Sequence, residues 1–229
     1  MKQISFEIDG KICKANEGEN LVTAAKKNGI YIPVLCYLEK HECLGTCRVC
    51  TIKIDGRSMA ACTLIVQEGM VVEVNSAELQ DLRKAIVELL FVEGNHFCPS
   101  CEKSGNCQLQ AVAYAMDMRV ARFHYRFSPY SINYKGEKII LEHNRCIHCK
   151  RCTNLFHDDE GYKVFSFVNR GAKTRVTLDL KREKLLSKAK LEEAKNLCPV
   201  GAILLQGDGF EQPIGTRQYD KNPIGIIGD

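Results

Sequence analysis

The sequence predicts an α+β fold made of three small units and an irregular tail. Three observations carry that prediction. Short apolar runs that alternate with polar residues and stop at Gly or Asp mark strands. Helical periodicity runs through several segments between them. Twelve of the thirteen cysteines fall into three packets divided by cysteine-free stretches, with Cys13 apart. A chain of 229 residues has room for two or three small cores.

Residues 3–15 read as two strands around Asp9-Gly10, a hairpin turn pair. "ENLVTAAKKNGI" reads as a helix closed by Gly29, and "VCTIKIDGRSMAAC" and "MVVEVNS" supply more strand. Residues 1–75 are therefore a small β-rich domain with one helix. A longer helix follows, with Asn75 and Glu78 at capping-box spacing. Leu79, Leu82, Ile86 and Leu89 share one of its faces, expected to be core. The second cysteine packet comes next, and Cys107 opens a further helix, "CQLQAVAYAMDM"; residues 76–125 form this helical module. Residues 126–207 supply strands near "KVFSFVNR" and "RVTLDL", and a helix in "REKLLSKAKLEEAKNLC". The Gly- and Pro-containing tail, 208–229, is expected to be irregular, either frayed or docked on a partner.

Hydrophobic residues make up 45% of the chain, charge is well mixed and tryptophan is absent, as in a soluble globular protein. "MKQISFEIDGKIC" has no apolar stretch of an export signal, and "AIVELLFV" is too short to span a bilayer. A cytoplasmic location is expected, and clustered thiols in a reducing compartment point to metal or redox chemistry. The formal charge of +4 counts every thiol as neutral. No basic stripe with interleaved aromatics accompanies it, so nucleic acid is not expected as a partner.

The third packet, Cys146, Cys149 and Cys152, has C-x2-C-x2-C spacing, and a lone Cys198-Pro199 lies far downstream. A close triple and a remote Cys-Pro complete one four-iron cluster. Zinc is the competing reading, but three sulfurs packed this closely suit corners of a cubane better. His143, His148 and His157 read as neighbours of that site, not ligands, and Lys150 and Arg151 as solvated loop charges that could tune it. The first packet has a surplus: Cys36, Cys43, Cys47, Cys50 and Cys62 offer five thiols where a two-iron cluster takes four. Cys47, Cys50 and Cys62 belong to every assignment; the fourth ligand is Cys36 or Cys43. The second packet, Cys98, Cys101 and Cys107, is one donor short. Histidine is the natural neutral replacement for thiolate at iron, and His96 is beside it. A donor from elsewhere, or a three-iron cluster, is the alternative. Three oxidised clusters would contribute about −5 and bring the loaded chain near −1, so its basic character is partly an artefact of ignoring them.

"IPVLCYLEKHECLGTCRVC", "HFCPSCEKSGNCQLQ" and "CIHCKRC" through "CPVGAI" stand in the order found in three related groups. These are the large iron–sulfur subunit of respiratory complex I, the iron-only hydrogenases, and the small diaphorase (gamma) subunits of NAD-reducing nickel–iron hydrogenases. The chain resembles them over roughly residues 1–205. The resemblance implies an N-terminal β-grasp, plant-type ferredoxin-like [2Fe–2S] domain and a C-terminal [4Fe–4S] ferredoxin-like domain. Between them it implies a small helical module whose [4Fe–4S] cluster is held by one histidine and three cysteines. It also implies Cys36 as the fourth ligand of the two-iron cluster, leaving Cys43 and Cys13 as structural thiols. Relatives usually carry the ligand histidine of the second cluster four positions before the first cysteine, where this chain has Gly94.

The chain stops soon after Cys198, which resembles the gamma subunit of a cytoplasmic NAD-reducing hydrogenase more than the longer relatives. That resemblance implies an electron-transfer subunit, inactive alone, between a flavin/NAD(H) subunit and the hydrogenase small and large subunits. A complex I-like or NAD-linked formate dehydrogenase subunit is the alternative. A succinate dehydrogenase-type iron–sulfur subunit has no place for "HFCPSC", and a zinc-bearing interaction module is a further alternative of a different class. No G-x-G-x-x-G follows a strand, so no dinucleotide site of its own is expected.

Overall fold

The computed structural model describes residues 2–127 and 129–225. The first unit contains β1 (Gln3–Ile8), β2 (Lys11–Asn16), α1 (Leu21–Lys27), β3 (Thr51–Ile54), β4 (Arg57–Ala60) and β5 (Val71–Val72). β1 and β2 form the expected hairpin, with φ of 49° at Asp9 and 81° at Gly10, as a tight primed turn requires. β5 pairs parallel with the other edge of β1, giving the order β2-β1-β5. Ile4, Phe6 and Ile8 alternate inward along β1 and pack with Leu21, Val22, Ala24 and Ala25 of α1. Asn20 caps α1, its Oδ1 accepting from the Val22 N–H at 2.9 Å.

The second unit holds α2 (Ala77–Glu93) and α3 (Gln108–Ala115). Two expectations fail on α2. The N-cap is Ser76, without a side-chain cap bond; Asn75 instead binds the Asp9 carboxylate, through Nδ2 at 2.9 Å. The buried face is also rotated from the one expected. Leu79 is buried, but Leu82 and Leu89 are exposed, and Arg83, Val87, Glu88 and Val92 face inward. Two charges can lie there because each finds a partner distant in sequence. Arg83 donates to the Thr51 and Val74 carbonyls, both at 2.8 Å, and Glu88 pairs with Arg122 at 2.7 Å.

The third unit contains β6 (Ile139–Leu141), α4 (Arg151–Leu155), β7 (Phe165–Val168), β8 (Arg175–Leu178), α5 (Leu180–Glu183), α6 (Lys188–Leu197) and β9 (Ile203–Leu205). β6 pairs antiparallel with β9, and β7 with β8. The single helix expected before Cys198 is two, because Ser187 starts α6 by accepting from the Lys190 N–H. Fully buried Glu183, ending α5, accepts from the backbone N–H groups of Lys138 at 2.6 Å and Ile139 at 2.8 Å. One core spans this unit and the inner faces of α2 and α3.

As far as residue 225 the tail is mostly irregular, as expected, but it packs back on the rest of the chain, with Phe210 and Ile214 left exposed. It contains α7 (Gln218–Lys221) and returns to the second cysteine packet. There the Tyr219 N–H donates to the Gly105 carbonyl at 2.9 Å, and the Gln218 N–H to Asn106 Oδ1 at 2.8 Å. Its last four residues, 226–229, lie outside the described residues.

Candidate metal centres

The first packet is assembled by the loop after α1, the turn into β3 and the 3-10 turn after β4. The Ala61 N–H donates to the Cys50 carbonyl and fixes Cys62 beside Cys50. All five thiols converge. The sulfurs of Cys36, Cys43 and Cys62 lie within 4.8 Å of one another. Cys47 Sγ is 3.3 Å and Cys43 Sγ 3.7 Å from Cys36 Sγ. Thiol hydrogen bonds from Cys43, then Cys47 and Cys62, hold the Cys36 pKa far below the usual thiol range. The Cys62 thiol lowers the pKa of Cys50, and Cys47 and Cys62 are pushed up, chiefly by Cys36. A nest of soft sulfur donors this close together suits iron–sulfur chemistry better than a hard cation. Cys43 is therefore not remote packing but a half-buried member of the group. Cys13 is buried in the core of the first unit, where burial raises its thiol pKa.

In the second packet, Cys98 starts a 3-10 turn, Cys101 ends it and Cys107 is the N-cap of α3. His96, Cys98, Cys101 and Cys107 line one small cavity, together with Phe91, Leu109 and Arg145. The His96 ring leans on Phe91, with centroids 5.3 Å apart. Burial, reinforced by the Arg145 charge, lowers its pKa to about 4, so the imidazole is neutral and holds a lone pair ready. Burial pushes the Cys107 thiol up to about 12. The departure at Gly94 has a spatial answer. A Cβ placed on Gly94 would lie 2.5 Å from His96 Nε2 and 2.7 Å from the Asn144 carbonyl. The ring of His96 thus fills the space into which a side chain at position 94 would project.

In the third packet, Cys146, Cys149, Cys152 and Cys198 line one cavity closed by Ile147, Phe167, Val176 and Ile203. Burial pushes Cys146 and Cys149 to about 12. His143 and His148 border the cavity, with His148 against Phe167, while the Nδ1 of His157 meets the Leu155 carbonyl.

The third packet touches both of the others. Thr46, beside Cys47, donates to the Cys149 carbonyl at 3.4 Å. The Gln108 N–H, beside Cys107, donates to the Pro199 carbonyl at 2.8 Å. A Cβ on Gly201 would lie 3.2 Å from Cys101 Sγ, so the chain after Cys198 runs against the second packet. Arg151 joins all three. Only 6% exposed, its Nη2 donates to the Tyr37 carbonyl beside Cys36 at 2.6 Å and to Gln108 Oε1 beside Cys107 at 3.0 Å. The solvated loop charge expected there is instead a buried tie. Arg145 pairs with Glu102 at 2.5 Å between the second and third packets.

Residues 1–77 match the 2Fe-2S iron-sulfur cluster binding domain family, and 83–122 the NADH-ubiquinone oxidoreductase-G iron-sulfur binding region. Residues 136–204 match the ferredoxin-like domain of NADH-quinone oxidoreductase subunit 3. The chain is 50% identical to the gamma subunit of the NAD-reducing hydrogenase HoxS of Cupriavidus necator, covering 96% of this chain and 95% of that one. The chain belongs to this family of hydrogenase gamma subunits. A chain in the crystal structure of an NAD+-reducing [NiFe]-hydrogenase in the H2-reduced state superposes with a TM-score of 0.85 at 36% identity. That match covers 96% of this chain and 94% of the other. The mitochondrial 78 kDa subunit of NADH-ubiquinone oxidoreductase of Candida albicans is 28% identical over 89% of this chain, a match that covers 28% of that longer relative. The family assignment makes the chain an oxidoreductase subunit of a multi-subunit assembly. Its cofactors are one [2Fe–2S] and two [4Fe–4S] clusters. Among the described residues no helix is long and apolar enough to cross a membrane.

Proposed function

We propose that the chain is the electron relay of a cytoplasmic NAD-reducing hydrogenase. It carries electrons between a flavin/NAD(H) subunit and the small and large subunits of a [NiFe] hydrogenase, and it is inactive alone. The full-length match to a gamma subunit carries this reading, because both chains are covered almost end to end and all three cysteine packets fall inside the match. The ligands are Cys36, Cys47, Cys50 and Cys62 for [2Fe–2S]. His96, Cys98, Cys101 and Cys107 hold one [4Fe–4S] cluster, and Cys146, Cys149, Cys152 and Cys198 the other.

Bound clusters accept and release single electrons, so a two-electron donor and acceptor can be joined by one-electron steps. The polypeptide keeps the three sites abutting, since electron tunnelling falls steeply with distance. It also sets their potentials by ligand type, burial and nearby charge. Arg151 ties the three cysteine loops into one geometry. Arg145 keeps a positive charge beside the second site, and the neutral His96 there carries one negative charge fewer than a thiolate would.

The test is reconstitution of the complex with and without this chain. Hydrogen-dependent NAD+ reduction is expected only with it, while artificial-dye assays of each catalytic half survive its omission. The purified, cluster-loaded chain is expected neither to oxidise NADH nor to take up hydrogen. Turnover by the pure chain would contradict the relay.

A further inference from the structure

The first packet holds one thiol more than a two-iron cluster takes, and that thiol is within reach of the ligands. Cys43 Sγ lies 3.7 Å from Cys36 Sγ. Cys36, Cys43 and Cys62 have mutual sulfur separations under 4.8 Å. Cys43 is half-buried, whereas Cys36 and Cys62 are buried. Two thiols this close to each other and to Cys62 can reach the same iron with a small adjustment of the loop between them, and thiolate is the ligand such iron prefers.

We propose that Cys43 is an alternate ligand of the [2Fe–2S] cluster, able to take the coordination place of Cys36. The proposal rests on the two-iron assignment above and extends it from four residues to five. The exchange breaks the iron bond to the Cys36 sulfur and forms one to the Cys43 sulfur. One proton leaves the Cys43 thiol, and if Cys36 remains in the chain its released thiolate takes one up. No electron moves. With Cys36 in place, Cys43 remains a free thiol. With Cys36 lost, the cluster has a fourth sulfur already beside it.

The test uses the full chain, loaded anaerobically, with Cys36→Ala, Cys43→Ala and the double variant. Alanine avoids the ligating oxygen that serine would provide. Iron content, the two-iron paramagnetic signal and iodoacetamide labelling of Cys43 read by mass spectrometry are compared, with the four-iron signals reporting that the fold is intact. Cys43→Ala is expected to leave the two-iron signal unchanged. Cys36→Ala should retain the cluster with a shifted signal, and Cys43 should change from alkylated to protected. The double variant should lose about two irons. A Cys36→Ala protein with intact four-iron signals, but with the two irons gone and Cys43 still alkylated, would overturn the proposal. So would loss of the cluster in Cys43→Ala alone, which would make Cys43 the resident ligand. A wild-type chain without any two-iron signal would instead fail the underlying assignment.

Discussion

The first and second cysteine packets are opposite solutions to holding a cluster. The first gathers five thiols on a β-rich unit, with sulfurs as close as 3.3 Å. The second has three thiols and completes its cavity with a histidine. A surplus tolerates the loss of a donor, and a site with no spare does not. On the proposed ligation the two would also differ in charge, because a neutral imidazole in place of a thiolate would leave the second cluster less negative and more easily reduced.

Four variants break or sharpen this comparison, from the largest effect down. His96→Ala should abolish the second cluster or reduce it to three irons, lowering total iron from about ten to between six and nine. Iron and sulfide analysis after anaerobic purification checks it; an unchanged count would mean the fourth donor lies elsewhere. Gly94→Ala should act through the same ring, since its Cβ would collide with His96 Nε2 and the Asn144 carbonyl. Partial loss of the second cluster is expected while the two-iron signal is retained. Arg83→Met separates folding from ligation. It leaves two buried carbonyls, those of Thr51 and Val74, without their donor, and should cost about 2–3 kcal/mol in chemical unfolding of the loaded chain. The iron count of the native protein should not change. Cys43→Ser should be the mildest, with the two-iron spectrum nearly as in the unmodified chain.

These differences trace which features the sequence carries locally. His96 stands out in the sequence as a candidate donor because its neighbours Cys98 and Cys101 advertise a missing one within a few residues, and the structure places it in their cavity. The ferredoxin-like spacing of Cys146, Cys149 and Cys152 was legible for the same reason, as was the Asp9-Gly10 turn. The buried face of α2 was not, because apolar periodicity alone assigns Leu82 and Leu89 to the core. Arg83 and Glu88 displace them by pairing with Thr51, Val74 and Arg122, and no window along the helix reveals those partners. The way the third packet meets the other two, and the burial of Arg151, likewise depend on contacts across the chain such as Arg151 to Tyr37. Cys43 illustrates both limits. Its presence was plain, but its nearness to Cys36 is a product of how the loop folds.

The contrast between an all-sulfur site and a site completed by nitrogen is tested most directly by pulsed EPR of the reduced, fully loaded chain labelled with 15N-histidine. The account predicts a directly bound nitrogen coupling on a four-iron signal, absent from the two-iron signal and lost in His96→Cys while the four irons remain. A four-iron spectrum without bound nitrogen, or a coupling that survives in His96→Cys, would contradict it.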